Sequence, residues 1–107
     1  MVTVPIKPLS VNECWQGRRF KTKKYLLYEQ NMMKMLIALK LPPTPYRVNY
    51  EFGLSNSMAD VDNLIKPATD ILQKRYNFND RDIYEMNVKK VKVKKGEEYI
   101  KFEITTL

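Results

Sequence analysis

Tyr46, Val48, Tyr50, Phe52 and Leu54 alternate without a break against Arg47, Asn49, Glu51 and Gly53. Successive side chains of a strand leave on opposite faces, so this stretch reads as a strand with one apolar and one polar side, the clearest in the chain. The segments around it are weaker versions of two periods. Val2, Val4 and Ile6 alternate with Thr3 and Pro5, which suits a short edge strand, where proline is tolerated. Residues 8 to 20 are rich in turn formers and read as a loop.

From about Lys21 to Lys40 the spacing becomes helical, with Tyr25, Tyr28, Met32, Met35 and Leu39 on one stripe and Pro42 and Pro43 as the stop. Leu26, Leu27, Met33, Leu36 and Ile37 lie off that stripe, more apolar surface than one core contact requires. Either a second subunit covers the surplus or the helix is buried inside the domain. A second helix starts somewhere in 61 to 66 and runs to about Gln73, with Leu64, Ile65, Ala68, Ile71 and Leu72 as its apolar side. Pro67 implies that it begins close to Lys66 or kinks there. Residues 75 to 82 form a connector. Beyond it, Tyr84, Met86 and Val88 alternate, the phase slips at Lys89 and Lys90 as a bulge would make it, and Val91 and Val93 resume. Gly96 marks a turn and Ile100, Phe102 and Ile104 a returning face, so this part reads as a hairpin. The order β-α-β-α-β-β predicts an α/β (α+β) fold: a small mixed sheet with its helices packed on one face, in one domain covering residues 1–107.

With 107 residues the chain buries roughly two thirds of its unfolded surface, enough for a core without staples. The single cysteine, Cys14, has no partner within the chain. That points to a reducing compartment, although a lone thiol could link two copies. No apolar run is long enough to span a bilayer and no export signal precedes the first strand, which places the protein in the cytoplasm with no membrane partner. Nineteen Lys and Arg against twelve Asp and Glu give a formal charge of +7, and such an excess favours polyanions, nucleic acid first. The chain has no histidine. The usual general base, the usual zinc ligand and the Ser-His and Cys-His pairs are therefore excluded.

Five of the twelve acids fall between Met58 and Asp82. Asp60 and Asp62 are two apart, so in an extended segment both carboxylates leave on the same side, and two hard oxygen donors suit Mg²⁺ or Mn²⁺. Asp80 follows the second helix, and a strand-helix-return path can bring it back as a third ligand. Such an ion would supply the hydroxide that no histidine is present to generate. Lys66, one helical turn after Asp62, reaches the same place to offset charge on a phosphate in the transition state. Asp70, a further turn on, would orient Lys66 by ion pairing and is not a metal ligand.

Plain structural roles compete with each of these. Asp62 or Asn63 could cap the helix, Asp80 and Asp82 could end a turn, and Lys66 with Asp70 could be a solvated pair. The cationic blocks at 18 to 24 and 89 to 95 exceed what solubility needs, and Trp15, Phe20 and Tyr25 lie in or beside the first. Interleaved cations and rings hold phosphates and stack on bases. Asn12, Arg18, Arg19, Lys21, Lys23, Lys24, Lys89, Lys90 and Lys92 are accordingly the candidate DNA contacts.

At these residues the chain resembles the RusA family of Holliday junction resolvases, over nearly its whole length. The likeness is carried by DVDNLIKPATDIL, by NDRDIYEMNVKKVKV, where an acidic pair precedes a basic strand, and by the N-terminal KPLSVNECWQGRR. It implies a Mg²⁺-dependent homodimeric endodeoxyribonuclease that binds four-way DNA junctions in recombination and repair and nicks two strands symmetrically. It puts the catalytic aspartates at Asp60, Asp62 and Asp80 and the catalytic lysine at Lys66. It also fits a phage or prophage source. One departure matters: Asn79 and Asp80 stand where the family has two adjacent aspartates, which implies weaker or altered metal binding. A structure-selective nuclease acting on flaps or forks, and a non-catalytic basic DNA-binding protein, are the alternatives.

Overall fold

The computed structural model describes residues 1–17, 20–56 and 58–107. Strand β4, Tyr46–Leu54, lies inside a four-stranded sheet and is paired on both edges. On one side it pairs antiparallel with β6, Tyr99–Thr106, which in turn pairs antiparallel with the edge strand β1, Val2–Val4. On the other side it pairs parallel with β5, Ile83–Lys92. The expected small mixed sheet is therefore present, in the order β1-β6-β4-β5.

Two α-helices lie among the described residues, α1, Lys23–Met35, and α2, Val61–Tyr76. Both pack on the face that carries Val48, Tyr50, Phe52 and Leu54. From α1 come Tyr25, Tyr28 and Met32, and from α2 Leu64, Ala68, Ile71 and Leu72; Ile100, Phe102 and Val4 complete the same layer. Tyr50 and Thr69 are both buried there and satisfy each other, hydroxyl to hydroxyl at 2.8 Å. The opposite face carries Arg47, Asn49 and Glu51, and Arg47 donates there to Glu85 of β5. Gly53 sits on that face beneath the Tyr99 ring, where a methyl group would overlap the ring.

Several local expectations are corrected. Strands β5 and β6 are not a hairpin: β4 lies between them. Helix α2 is the crossover that returns the chain parallel to β4, and β4, with one face buried, offers an edge to each later strand. The connector then passes the end of β4, where Val93 N–H donates to the Leu54 carbonyl at 2.9 Å. Gly96, at φ 94°, does turn the chain, but a turn signal does not say that the flanking strands are neighbours. The register slip also lies elsewhere. Tyr46 pairs with Ile83 and Arg47 with Glu85, so Tyr84 is the extra residue and is turned outward, while Lys89 and Lys90 pair in regular register.

The first helix ends at Met35, well before Pro42. Leu36 leaves in an extended conformation with its side chain in the core. The exit carbonyls are taken by α2, Arg75 Nε donating to Leu36 O at 3.3 Å and Tyr76 OH to Ile37 O at 2.7 Å. Met35 and Leu39, expected on the buried stripe, are exposed. Helix α2 begins at Val61 and passes through Pro67 as one element. Residues 8 to 20 hold more than a loop: a 3-10 turn at Val11–Glu13, then β2, Trp15–Gln16, paired with β3, Phe20–Lys21. Cys14 is fully buried in this segment, which pushes its thiol up to about 11. A link between two copies through it is not open in this fold.

Candidate functional site

A cleft of about 390 Å³ lies where the first half of α2 faces the start of β5. Asp62, Ile65, Lys66 and Thr69 line it from the helix, spaced three and four apart as one face requires. Asp80, Ile83, Tyr84, Glu85 and Met86 line it from the other side. Asp80 opens a 3-10 turn, Asp80–Asp82, whose preceding residue Asn79 accepts the Arg81 N–H at 3.0 Å. Asn77, at φ 55°, supplies the left-handed residue that reverses the chain after α2.

Lys66 lies among the acids of this cleft. Its ammonium donates to Asp70 Oδ1 at 2.8 Å and stands 3.8 Å from Asp80 Oδ2. The hydrogen bond to Asp70 raises its pKa, burial opposes the rise, and the charges of Asp70 and Asp80 add to it. Lys66 is therefore a fixed cation at neutral pH, and the ion pair with Asp70 expected from their spacing is present.

Asp60 occupies the N-cap position of α2, yet its side chain makes no capping hydrogen bond. Asp62 falls in the first turn, where a carboxylate suits the helix dipole. The capping role weighed for Asp62 and Asn63 belongs by position to Asp60, which does not perform it. Among the described residues no three His, Cys, Asp or Glu side chains come together as a group that would hold a metal. Asp62 and Asp80 share the cleft, whereas Asp60 is not among its lining residues. Two carboxylates with water and a substrate phosphate are what Mg²⁺ commonly accepts, so this donor set fits a hard divalent ion without forming a three-aspartate cage.

The expected DNA contacts are dispersed. Arg18 and Arg19 lie outside the described residues. Lys21 is tied to Glu29 at 2.8 Å and lies over the Tyr25 ring, and Lys24 reaches Glu13 at 3.3 Å. Lys23 and Asn12 are exposed. On β5 the alternation divides the lysines: Lys90 and Lys92 pair with Phe52 and Leu54, while Lys89 pairs with Glu51 and so belongs to the opposite face. Lys90 donates to the Ala59 carbonyl at 2.8 Å, next to Asp60.

Sequence reasoning gave no site role to Thr69, Tyr84, Glu85 or Gln73. Tyr84 was expected on the core side of its strand, and the bulge turns it into the cleft rim. Glu85 is held below the usual carboxylate range by Arg47, which strand pairing brings beside it, and then by Asn87, two residues along its own strand. No helix among the described residues is long and apolar enough to cross a membrane. No protein-family model matches the chain, and no curated protein matches it.

Proposed function

We propose that the chain is a Mg²⁺-dependent endodeoxyribonuclease that cuts branched DNA, with the four-way junction as its substrate. The observation that carries this reading is the convergence of Asp62, Lys66 and Asp80 on one cleft, two carboxylates beside a lysine held charged. The surrounding charge of +7 favours a polyanionic substrate.

Asp62 and Asp80 would hold the ion, with Asp60 at the adjoining helix start. When bound, Mg²⁺ supplies Lewis-acid polarisation of a phosphate oxygen and a water acidic enough to attack at neutral pH. Lys66 offsets the negative charge that builds on the phosphate oxygens, a preorganised interaction worth several kcal/mol, on the order of 3. Asp70 keeps the ammonium aimed, so little reorganisation is needed as charge develops. The exposed Leu26, Leu27, Met33 and Ile37 support a two-fold homodimer, which would present two equivalent sites to opposing strands.

The deciding experiment compares a fixed four-way junction, a fork and a linear duplex, each with Mg²⁺ and with chelator, and maps the cut positions. Paired symmetric nicks on the junction, dependent on Mg²⁺, are expected. Cutting confined to forks or flaps would replace the junction with those substrates. Binding of all three with no cutting would leave a basic DNA-binding protein.

A further inference from the structure

Gln73 bonds at both ends of its side-chain amide, and its two partners fix which end is which. Its Oε1 accepts the Asp80 N–H at 2.8 Å, and its Nε2 donates to Asp70 Oδ1 at 3.4 Å. A backbone N–H requires an oxygen and a carboxylate requires a donor, so the reversed amide would break both bonds. The Gln73 backbone carbonyl also accepts the Asn77 N–H at 2.9 Å. One residue thus ties down both the residue that reverses the chain after α2 and the first residue of the Asp80 turn.

Asp70 Oδ1, the same oxygen that takes the Gln73 amide, accepts Lys66 at 2.8 Å, and Lys66 stands 3.8 Å from Asp80 Oδ2. The contacts therefore close a ring: Lys66, Asp70, Gln73, the Asp80 backbone, and the Asp80 carboxylate back to Lys66. Asp80 is roughly half exposed and its turn is short. Burial alone does not hold its carboxylate beside the lysine.

We propose that Gln73 is the positioning residue of this site, locking the Asp80 turn to the Lys66–Asp70 pair so that carboxylate and ammonium stay in register. The anchoring stands on the contacts themselves. Its catalytic consequence rests on the nuclease reading above.

Gln73→Met removes donor and acceptor at similar volume, and Gln73→Glu keeps the acceptor for the Asp80 N–H while losing the donor. The Asp80 amide is followed by NMR hydrogen exchange in both variants and the wild type, with melting curves to confirm folding. Exchange should accelerate about tenfold in the Met variant and by less in the Glu variant, which keeps the acceptor although its second oxygen then faces Asp70. With junction DNA and Mg²⁺, the Met variant should lose roughly tenfold in kcat with KM nearly unchanged, since a misplaced carboxylate affects the reacting phosphate more than DNA capture. An unchanged Asp80 amide in the Met variant overturns the anchor. A released amide with full kcat overturns the positioning role. A wild-type protein that cuts no branched DNA overturns the nuclease reading and the catalytic consequence with it, while the amide measurement still decides the anchor.

Discussion

The Lys66 ammonium stands 3.8 Å from the Asp80 carboxylate, across the gap between a helix and the turn that feeds the next strand. Asp70 holds the same ammonium at 2.8 Å, one helical turn along. Because Lys66 is largely exposed, these pairs add little to stability, within about 1 kcal/mol. Lys66→Met should therefore melt near the wild type while cutting at least about 100-fold more slowly, the loss expected when a charge aimed at the transition state is removed. Single-turnover cleavage beside a thermal melt checks both halves.

Asp60 sits at a helix start without making a capping bond. Asp60→Ala should shift stability by less than the roughly 1 kcal/mol that a lost cap costs. On the proposed reading, in which each would be a hard ligand and neither a phosphate contact, Asp62→Asn and Asp80→Asn should abolish Mg²⁺-dependent cutting and leave junction binding within about threefold. Gel-shift and cleavage assays on the same preparations separate binding from chemistry. Retained cutting by Asp62→Asn would remove it from the site.

Glu29 joins three elements: it accepts Lys21 of β3 at 2.8 Å and Lys74 of α2 at 2.6 Å, and is itself on α1. Burial pushes its carboxyl up, but the hydrogen bonds from both lysines outweigh this and hold it below the ordinary 4.5. A lowered folded-state pKa contributes stability that is present above the unfolded value and is lost as pH falls through the folded one. Glu29→Gln should cost about 1 to 2 kcal/mol at pH 7. That difference should shrink as pH drops below 4.5. Urea melts across that window would show it, and a constant difference would contradict the pairing.

Tyr50→Phe leaves the buried Thr69 hydroxyl without its partner. The expected loss is about 1 to 3 kcal/mol, the penalty for stranding a buried polar group, with the sheet unchanged. Thr69→Val in the same background should recover part of it, because removing both groups strands neither. A double-mutant cycle measures the coupling.

Phosphate binding by the basic surface should weaken steeply with salt, by about 10³-fold between roughly 50 and 200 mM if six or more phosphates are neutralised. Lys23, exposed at the start of α1, should contribute about one unit of salt slope. Lys21, tied to Glu29, should contribute less to the slope and more to stability. A flat salt response would refute the phosphate-clamp reading.

The alternation of Tyr46 to Leu54 was legible because a strand buried on one face writes its period directly into hydrophobicity. Tyr46, Val48, Tyr50, Phe52 and Leu54 are all buried, and only Gly53 on the other face is buried as well, under the Tyr99 ring. Lys66 with Asp70 was legible for a similar reason, since neighbours one helical turn apart meet by local geometry alone. Tyr84 was not: a single bulged residue inverts the facing of a side chain, and its cause lies in how Tyr46 and Arg47 pair with β5. Nor was the end of α1, which Arg75 and Tyr76 of the other helix capture before any proline is reached.

Period, charge and the absence of histidine are properties of the string, and they determined the class of fold, the face that is buried and the chemistry left open. Tertiary structure decided which strands are neighbours, which lysines share a face and whether Asp80 comes back to Lys66. Those outcomes depend on contacts between residues far apart in the chain, whose free energy is shared among pairing, burial and turn geometry, and no local pattern of residues encodes that competition.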